Sequence, residues 1–246
     1  MKEINFDNVT LKLISDLSRI CKTKENNYPI KIVKDESGIH IKAGNAGRSV
    51  VFTLDAPTSA FDFEGSELCF YDYNDFYNYA TLFEGAVINQ GTIGEGRNEV
   101  EALIITEGKR KVSYPLSDAE VIKGSLKNVK WADPAAKFVF PSDKLSLLSK
   151  ALKFLGTKDN KIKFDFSGSE VTITASTELN KNSYQDVVEL NDEVEEDFSI
   201  VISDEVVKYL INIDYRVEVQ KEGFIRFFFD VKDNAASILA TSKGDD

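Results

Sequence analysis

Residues 6–21, FDNVTLKLISDLSRIC, and residues 140–155, FPSDKLSLLSKALKFL, align without a gap at an offset of 134, Phe6 on Phe140. Leu11 meets Leu145, Leu13 and Ile14 meet Leu147 and Leu148, Ser15 meets Ser149, and Arg19 meets Lys153. Both stretches carry a helical period. Leu13, Ile14, Leu17, Ile20 and Cys21 share one side of the first, and Leu148, Ala151, Leu152 and Leu155 share one side of the second. Opposite them run Lys12, Ser15, Arg19 and Lys22 in the first copy, and Ser146, Ser149, Lys150 and Lys153 in the second. The spacing predicts one amphipathic helix, apolar behind and basic in front, that occurs twice.

A basic front alone is the ordinary covering of a solvated helix. The contrast with the whole chain gives it meaning. Of 246 residues 30 are basic and 41 acidic, a net charge of −11. Residues 7–24 hold four cations and two acids, and residues 142–155 hold three and one. These two stretches therefore carry +4, and the remainder −15. Positive charge is gathered on the repeated helices of an acidic protein.

The flanking segments repeat as well. In the first half Ile30 and Ile32 alternate with lysines, KDESG turns, and Ile39 and Ile41 return. In the second half Phe164 and Phe166 go out, SGSE turns, and Val171 and Ile173 return. A third strand follows in each, RSVVFTLDA and, more loosely, YQDVVEL. A second helix is expected after a fourth strand in each half, capped at Asp72 or Asn74 in one and at Ser203 in the other. Each half closes on strands, with hairpin turns near Glu107–Gly108 and near Asp233–Asn234. GTIGEG, residues 91–96, reads as a loop, and DVVELNDEVEED, residues 186–197, as a solvated acidic one. The pattern predicts an α+β fold of two duplicated domains, antiparallel sheets with two helices each on one face. The expected bounds are 1–117 and 137–246, joined by a polar connector over 118–136.

No catalytic constellation emerges. The lone histidine, His40, sits in an alternating strand and reads as a half-exposed strand residue. No CxxC or HExxH motif and no calcium-type acidic loop is present, so no metal, cofactor or enzymatic activity is expected. Cys21 and Cys69 lie in apolar patterns and read as buried thiols of a reducing compartment. No apolar run approaches membrane length, and MKEINFDNV has no signal-like core; a soluble, cytoplasmic protein is expected.

A duplicated chain of this kind, acidic overall and basic on its repeated helices, resembles the DNA sliding clamps. FDFEGSELCFYDYNDFYNYATLF, residues 61–83, resembles the strand-then-helix segment around the YDLNGFL motif of the T-even-like phage type, at Tyr71, Asp72, Asn74 and Phe76. AKFVFPSDKLSLLSKAL followed by KIKFDFSGSEVTITA resembles the opening of that family's second domain. Residues 84–99 and 176–197 are poorly matched. The resemblance implies a homotrimeric ring around duplex DNA, loaded by an ATP-dependent clamp loader and tethering a DNA polymerase, in the host cytoplasm if the source is viral. Basic side chains lining the hole bind phosphates without reading sequence. The expected lining residues are Lys12, Arg19, Lys22, Lys144, Lys150, Lys153 and Lys208, with Lys109 and Arg110 as lesser candidates. The resemblance also implies an apolar partner pocket near the connector and the last strand, for which Val121, Ile122, Val129, Trp131 and Leu239 are the candidates. Trp131 fits a pocket or an anchor of the connector equally. The competing readings are a non-catalytic DNA-binding module, such as a single-strand binder, and an assembly protein that reuses the duplicated fold.

Overall fold

The computed structural model describes residues 2–25, 27–45, 47, 49–120, 122, 133–156, 160–177 and 182–242. The chain forms two compact units. The first comprises Met1–Arg48, Phe52–Leu126 and Asp230–Ala236; the second comprises Ser49–Val51, Lys127–Phe229 and Ser237–Asp246.

In the first unit β1 (Lys2–Phe6) leads into α1 (Asn8–Ser18), prolonged by a 3-10 turn at Arg19–Cys21. The hairpin β2 (Ile30–Lys34) and β3 (Ile39–Gly44) follows, then β4 (Val50–Ala56), β5 (Phe61–Asp62) and β6 (Glu67–Phe70). α2 spans Tyr73–Ala80, and β7 (Val87–Ile93), β8 (Val100–Glu107) and β9 (Arg110–Pro115) complete a meander. One sheet has the order β5-β1-β7-β8-β9, and β6-β2-β3-β4 are neighbours in another. Residues 87–93 correct the sequence reading: Gly91, Thr92 and Ile93 belong to β7, paired with Ala102, Glu101 and Val100 of β8. Within residues 91–96 the left-handed backbone that glycine permits is taken by Gly94 and Gly96, at φ 97° and 61°.

The second unit repeats the plan. β10 (Ala136–Phe140) leads into α3 (Ser142–Leu155), and β11 (Lys161–Ser167), β12 (Glu170–Ser176), β13 (Ser183–Glu189) and β14 (Phe198–Ser203) form a sheet of order β13-β12-β11-β14. β15 (Tyr215–Gln220), β16 (Phe224–Val231) and β17 (Asn234–Thr241) follow. The expected fourth helix is cut short to a 3-10 turn, Asp204–Lys208. Its start is as predicted: Ser203 accepts from the Glu205 amide at 3.3 Å. The adjacent Val206 and Val207 are β-branched and disfavour helix continuation, and 3-10 geometry does not propagate far.

The alternating positions bury as their period requires. In the first unit Phe61, Phe70, Tyr73 and Phe76 are fully enclosed, and Phe70 meets Phe76 at 4.8 Å and Tyr73 at 5.1 Å. In the second, Phe138, Phe166, Tyr215 and Phe227 play that part. Each such ring contributes about 1.5–3 kcal/mol by leaving water. Cys21 and Cys69 are buried free thiols, and burial pushes Cys21 up to about 12. Among the described residues no helix is long and apolar enough to cross a membrane, and no cluster of His, Cys, Asp and Glu side chains could hold a metal ion.

Candidate nucleic-acid interface

α1 begins because Asp7 accepts from the Thr10 amide and the Thr10 hydroxyl, both at 2.8 Å. Leu11, Leu13, Ile14 and Leu17 bury its back. α2 starts on a matching cap, Asp72 accepting from the Asn74 and Asp75 amides at 3.0 and 3.1 Å. Tyr114 of β9 pins that cap: its hydroxyl donates to the Asp72 carbonyl at 2.7 Å and accepts from the Asp72 amide at 3.1 Å. Burial pushes the Tyr114 hydroxyl up to about 12, so it stays a neutral donor.

The expected polar side of α1, Lys12, Ser15, Arg19 and Lys22, divides between two partners. Ser15 and Ser18 turn to α2, donating to the Asn74 carboxamide oxygen at 2.9 and 3.2 Å. Lys12 and Arg19 point to solvent, with side chains 54% and 65% exposed, but both approach one carboxylate. Asp16 Oδ1 lies 2.5 Å from Lys12 Nζ and 3.6 Å from Arg19 Nη2. Lys22 is exposed just past the 3-10 turn.

α3 lacks a side-chain cap of its own, since Pro141 precedes it. Asp214, in the segment before β15, supplies one by accepting from the Ser142 amide at 2.7 Å. Leu145, Leu148, Leu152 and Leu155 bury the back, and Lys150 and Lys153 are exposed. Lys144 departs from the lining expected of it. Its ammonium donates to Asp186 at 2.7 Å and to the Val187 carbonyl at 2.8 Å, strapping the helix to β13. Burial works to raise the Asp186 carboxyl, but Lys144, the Val187 amide and the Tyr184 hydroxyl outweigh it and hold the group below its usual range. Leu147 is 50% exposed and Phe154 88%, on the same side of α3 as Lys150. Their place off the buried stripe is visible in the periodicity.

Lys208 is exposed at the end of the 3-10 turn that packs beside α3. Arg110 pairs with Glu107 at 3.1 Å in the β8–β9 turn, and Lys109 is exposed beside it. Of the pocket candidates, Val121, Val129 and Trp131 lie outside the described residues. Ile122 is half-buried, and Leu239, expected to be exposed, is 9% exposed in β17.

No protein-family model matches the chain, and no curated protein matches it by sequence. Solved structures do. The PCNA of A. fulgidus, solved with the C-terminal region of FEN-1 bound to it, superposes with a TM-score of 0.71 over 100% of both chains at 14% identity. The PCNA of Thermococcus kodakaraensis gives 0.67 over 98% of this chain and 99% of that one, at 17% identity. The proliferating cellular nuclear antigen of Entamoeba histolytica gives 0.67 over 95% and 96%, at 14% identity. The fold is that of the PCNA sliding clamps. The match covers the whole chain, and within it the order β10-α3 of the second unit repeats the order β1-α1 of the first. At such identities it fixes the backbone plan and leaves the role of each side chain to the local chemistry.

Proposed function

We propose that the chain is a DNA sliding clamp: a homotrimeric ring, set around duplex DNA by an ATP-dependent loader, that tethers a replicative DNA polymerase. The observation that carries this reading is the full-length clamp fold with exposed cations on both repeated helices of a protein of net charge −11. Lys12, Arg19 and Lys22 from one unit and Lys150, Lys153 and Lys208 from the other are the proposed lining. Lysine and arginine meet phosphates regardless of sequence, so the contacts permit translation along the duplex. The wording of residues 61–83 supports a T-even-like phage type and thus a viral replication setting, and the two domains are proposed to meet over the connector 118–136.

Self-assembly has support of its own. β9 and β13 are edge strands of their sheets. An unpaired edge invites another chain. β9 and its turn carry Lys109 and Lys111 beside the paired Arg110, while β13 carries Glu189 and runs into Asp192, Glu193, Glu195, Glu196 and Asp197. Exposed apolar side chains are present in both units, Leu82 in the first and Val187, on β13 itself, in the second. Opposite charges on two different edges suit head-to-tail pairing, which closes into a ring when the rotation allows.

Light scattering on the purified protein should give three times the chain mass of 27.5 kDa. Replacing Arg19, Lys150 and Lys153 with Glu should leave that mass unchanged and abolish the gain in polymerase processivity. A monomer at all concentrations, or full processivity in the triple variant, refutes the reading. Tight binding of short single strands dependent on Phe154 would favour the single-strand binder.

A further inference from the structure

The solvent stripe of α3 carries more than charge. Asp143, Leu147, Lys150 and Phe154 follow one another there at i, i+4, i+7 and i+11, with Lys153 beside the last of them, and all five are exposed. Phosphate contacts use the two lysines and leave the apolar side chains without a purpose. Phe154 is the more demanding. It is 88% exposed against 50% for Leu147, and among the described residues no ring or cation engages it. Nearly the whole ring meets water, so covering it with a ligand removes apolar surface that folding leaves wet. Lys150 stands one turn before it, roughly 6 Å along the axis, and Lys153 adjoins it in sequence. Neither lysine has an ion partner among the described residues. The one acid of the stripe, Asp143, lies three turns away, roughly 16 Å. Lys208 adds a further exposed cation on the 3-10 turn that packs beside the helix.

We propose that Phe154 stacks on an unpaired base, so that this face of α3 recognises a junction between duplex and single-stranded DNA, with Lys150 and Lys153 on the flanking phosphates. The inference rests on the clamp reading, which brings DNA to this face. Three features select that occupant. An aromatic ring among cations is how proteins hold single strands: the ring takes a base, the cations take the backbone, and any base serves because each has a π-face. Inside an intact duplex the base faces are covered by their neighbours, so a duplex alone satisfies Lys150 and Lys153 but leaves Phe154 wet; an unpaired strand exposes those faces. A peptide fits less well. At 88% exposure Phe154 offers an open flat surface rather than a socket for an anchoring side chain. Lys150 also interrupts the apolar strip between Leu147 and Phe154 that a docked amphipathic helix would need continuous.

The probes are a labelled blunt duplex, the same duplex with a single-stranded overhang, and the overhang strand alone, each titrated with the full-length protein by anisotropy at one low salt concentration. The overhang duplex should bind about tenfold more tightly than the blunt one. Phe154→Ala should erase that ratio and Phe154→Trp should restore it, whereas Lys150→Glu/Lys153→Glu should weaken both duplexes. With 2-aminopurine in the overhang beside the junction, its emission should be quenched on binding the native chain and not on binding Phe154→Ala. A thermal melt and light scattering show that each variant is folded and keeps the native mass. Equal affinity for the two duplexes, or a ratio that survives Phe154→Ala, overturns the proposal. So does a changed mass in Phe154→Ala, which assigns the ring to a contact between copies, and so does an overhang strand that alone binds as tightly as the junction, which favours the single-strand binder. Duplex binding that depends on Lys150 and Lys153 but shows no preference for the overhang overturns this inference and leaves the clamp reading standing; no binding of any of the three DNAs overturns both.

Discussion

Asp16 offers the sharpest test of the proposal that α1 meets DNA through Lys12 and Arg19. Its carboxylate sits 2.5 Å from Lys12 Nζ and 3.6 Å from Arg19 Nη2, so the two cations present about one net charge between them. Asp16→Asn keeps the shape and removes that neutralisation. The effect on stability is small: exposed pairs three and four residues apart on a helix contribute about 0.3–0.5 kcal/mol each. The effect on DNA binding is larger. One additional phosphate neutralised per subunit in contact steepens the dependence of log affinity on log salt by about 0.9. Between 50 and 200 mM salt, that slope amounts to a further factor of roughly 3.5 per subunit. Anisotropy of a labelled duplex, titrated across that range for the native chain and the variant, reads the change directly. A steeper slope with a melting temperature shifted by no more than a few degrees supports the assignment. An unchanged slope with a lowered melting temperature means that Asp16 merely staples the helix. A shallower slope means that the Lys12–Arg19 face is not where the phosphates lie, and the reasoning fails.

Three further outcomes follow from the geometry. Lys144→Met should destabilise the second unit by about 1–3 kcal/mol in chemical denaturation, since it strips Asp186 of its ammonium, and should leave the DNA salt slope unchanged, in contrast to Lys150→Glu. His40 donates through Nδ1 to the Asp55 carboxylate at 2.7 Å, and its Nε2 lies 3.2 Å from Asp35; the Asp55 bond raises its pKa against the opposing pull of burial. That contribution to stability is complete below the free-histidine value of about 6.5 and is lost as pH rises through the higher folded value, so His40→Asn should flatten the urea midpoint between about pH 6 and 8. Asp35, held down to about 2 chiefly by Ser37, acts with the opposite sign: its contribution is present above about 3.8 and fades as pH falls towards 2. Gly38→Ala should lower the melting temperature clearly, because a Cβ there would stand 2.6 Å from the Ala56 carbonyl oxygen, a contact that only a backbone shift relieves.

What the sequence disclosed and what it withheld divide along a physical line. The helix backs were legible because burial is set by a local period: Leu13 and Leu17, or Leu148 and Leu152, must face inward whatever they meet. The hairpins were legible for the same reason, from period two and a turn. β7 was missed because VINQGTI carries glycine and polar residues at strand positions, and its identity as a strand comes from pairing with β8. The fourth helix stops at a 3-10 turn although its cap and its apolar spacing are present, because two adjacent valines resist the helical backbone. The cationic faces show the limit most clearly. A charge count treats Lys144 and Lys150 alike, yet Lys144 is committed to a carboxylate 42 residues away that no local pattern announces. Asp16 lay within reach of the same reading, four residues from Lys12 and three from Arg19, but a net count for the segment hides which cations it occupies. Periodicity decides which side of a helix faces water; tertiary partners decide which of its charges remain available to a ligand. Lys22, Lys150, Lys153 and Lys208 have no ion partner among the described residues, so the proposed lining rests chiefly on them, with Lys12 and Arg19 held at partial strength by the acid between them.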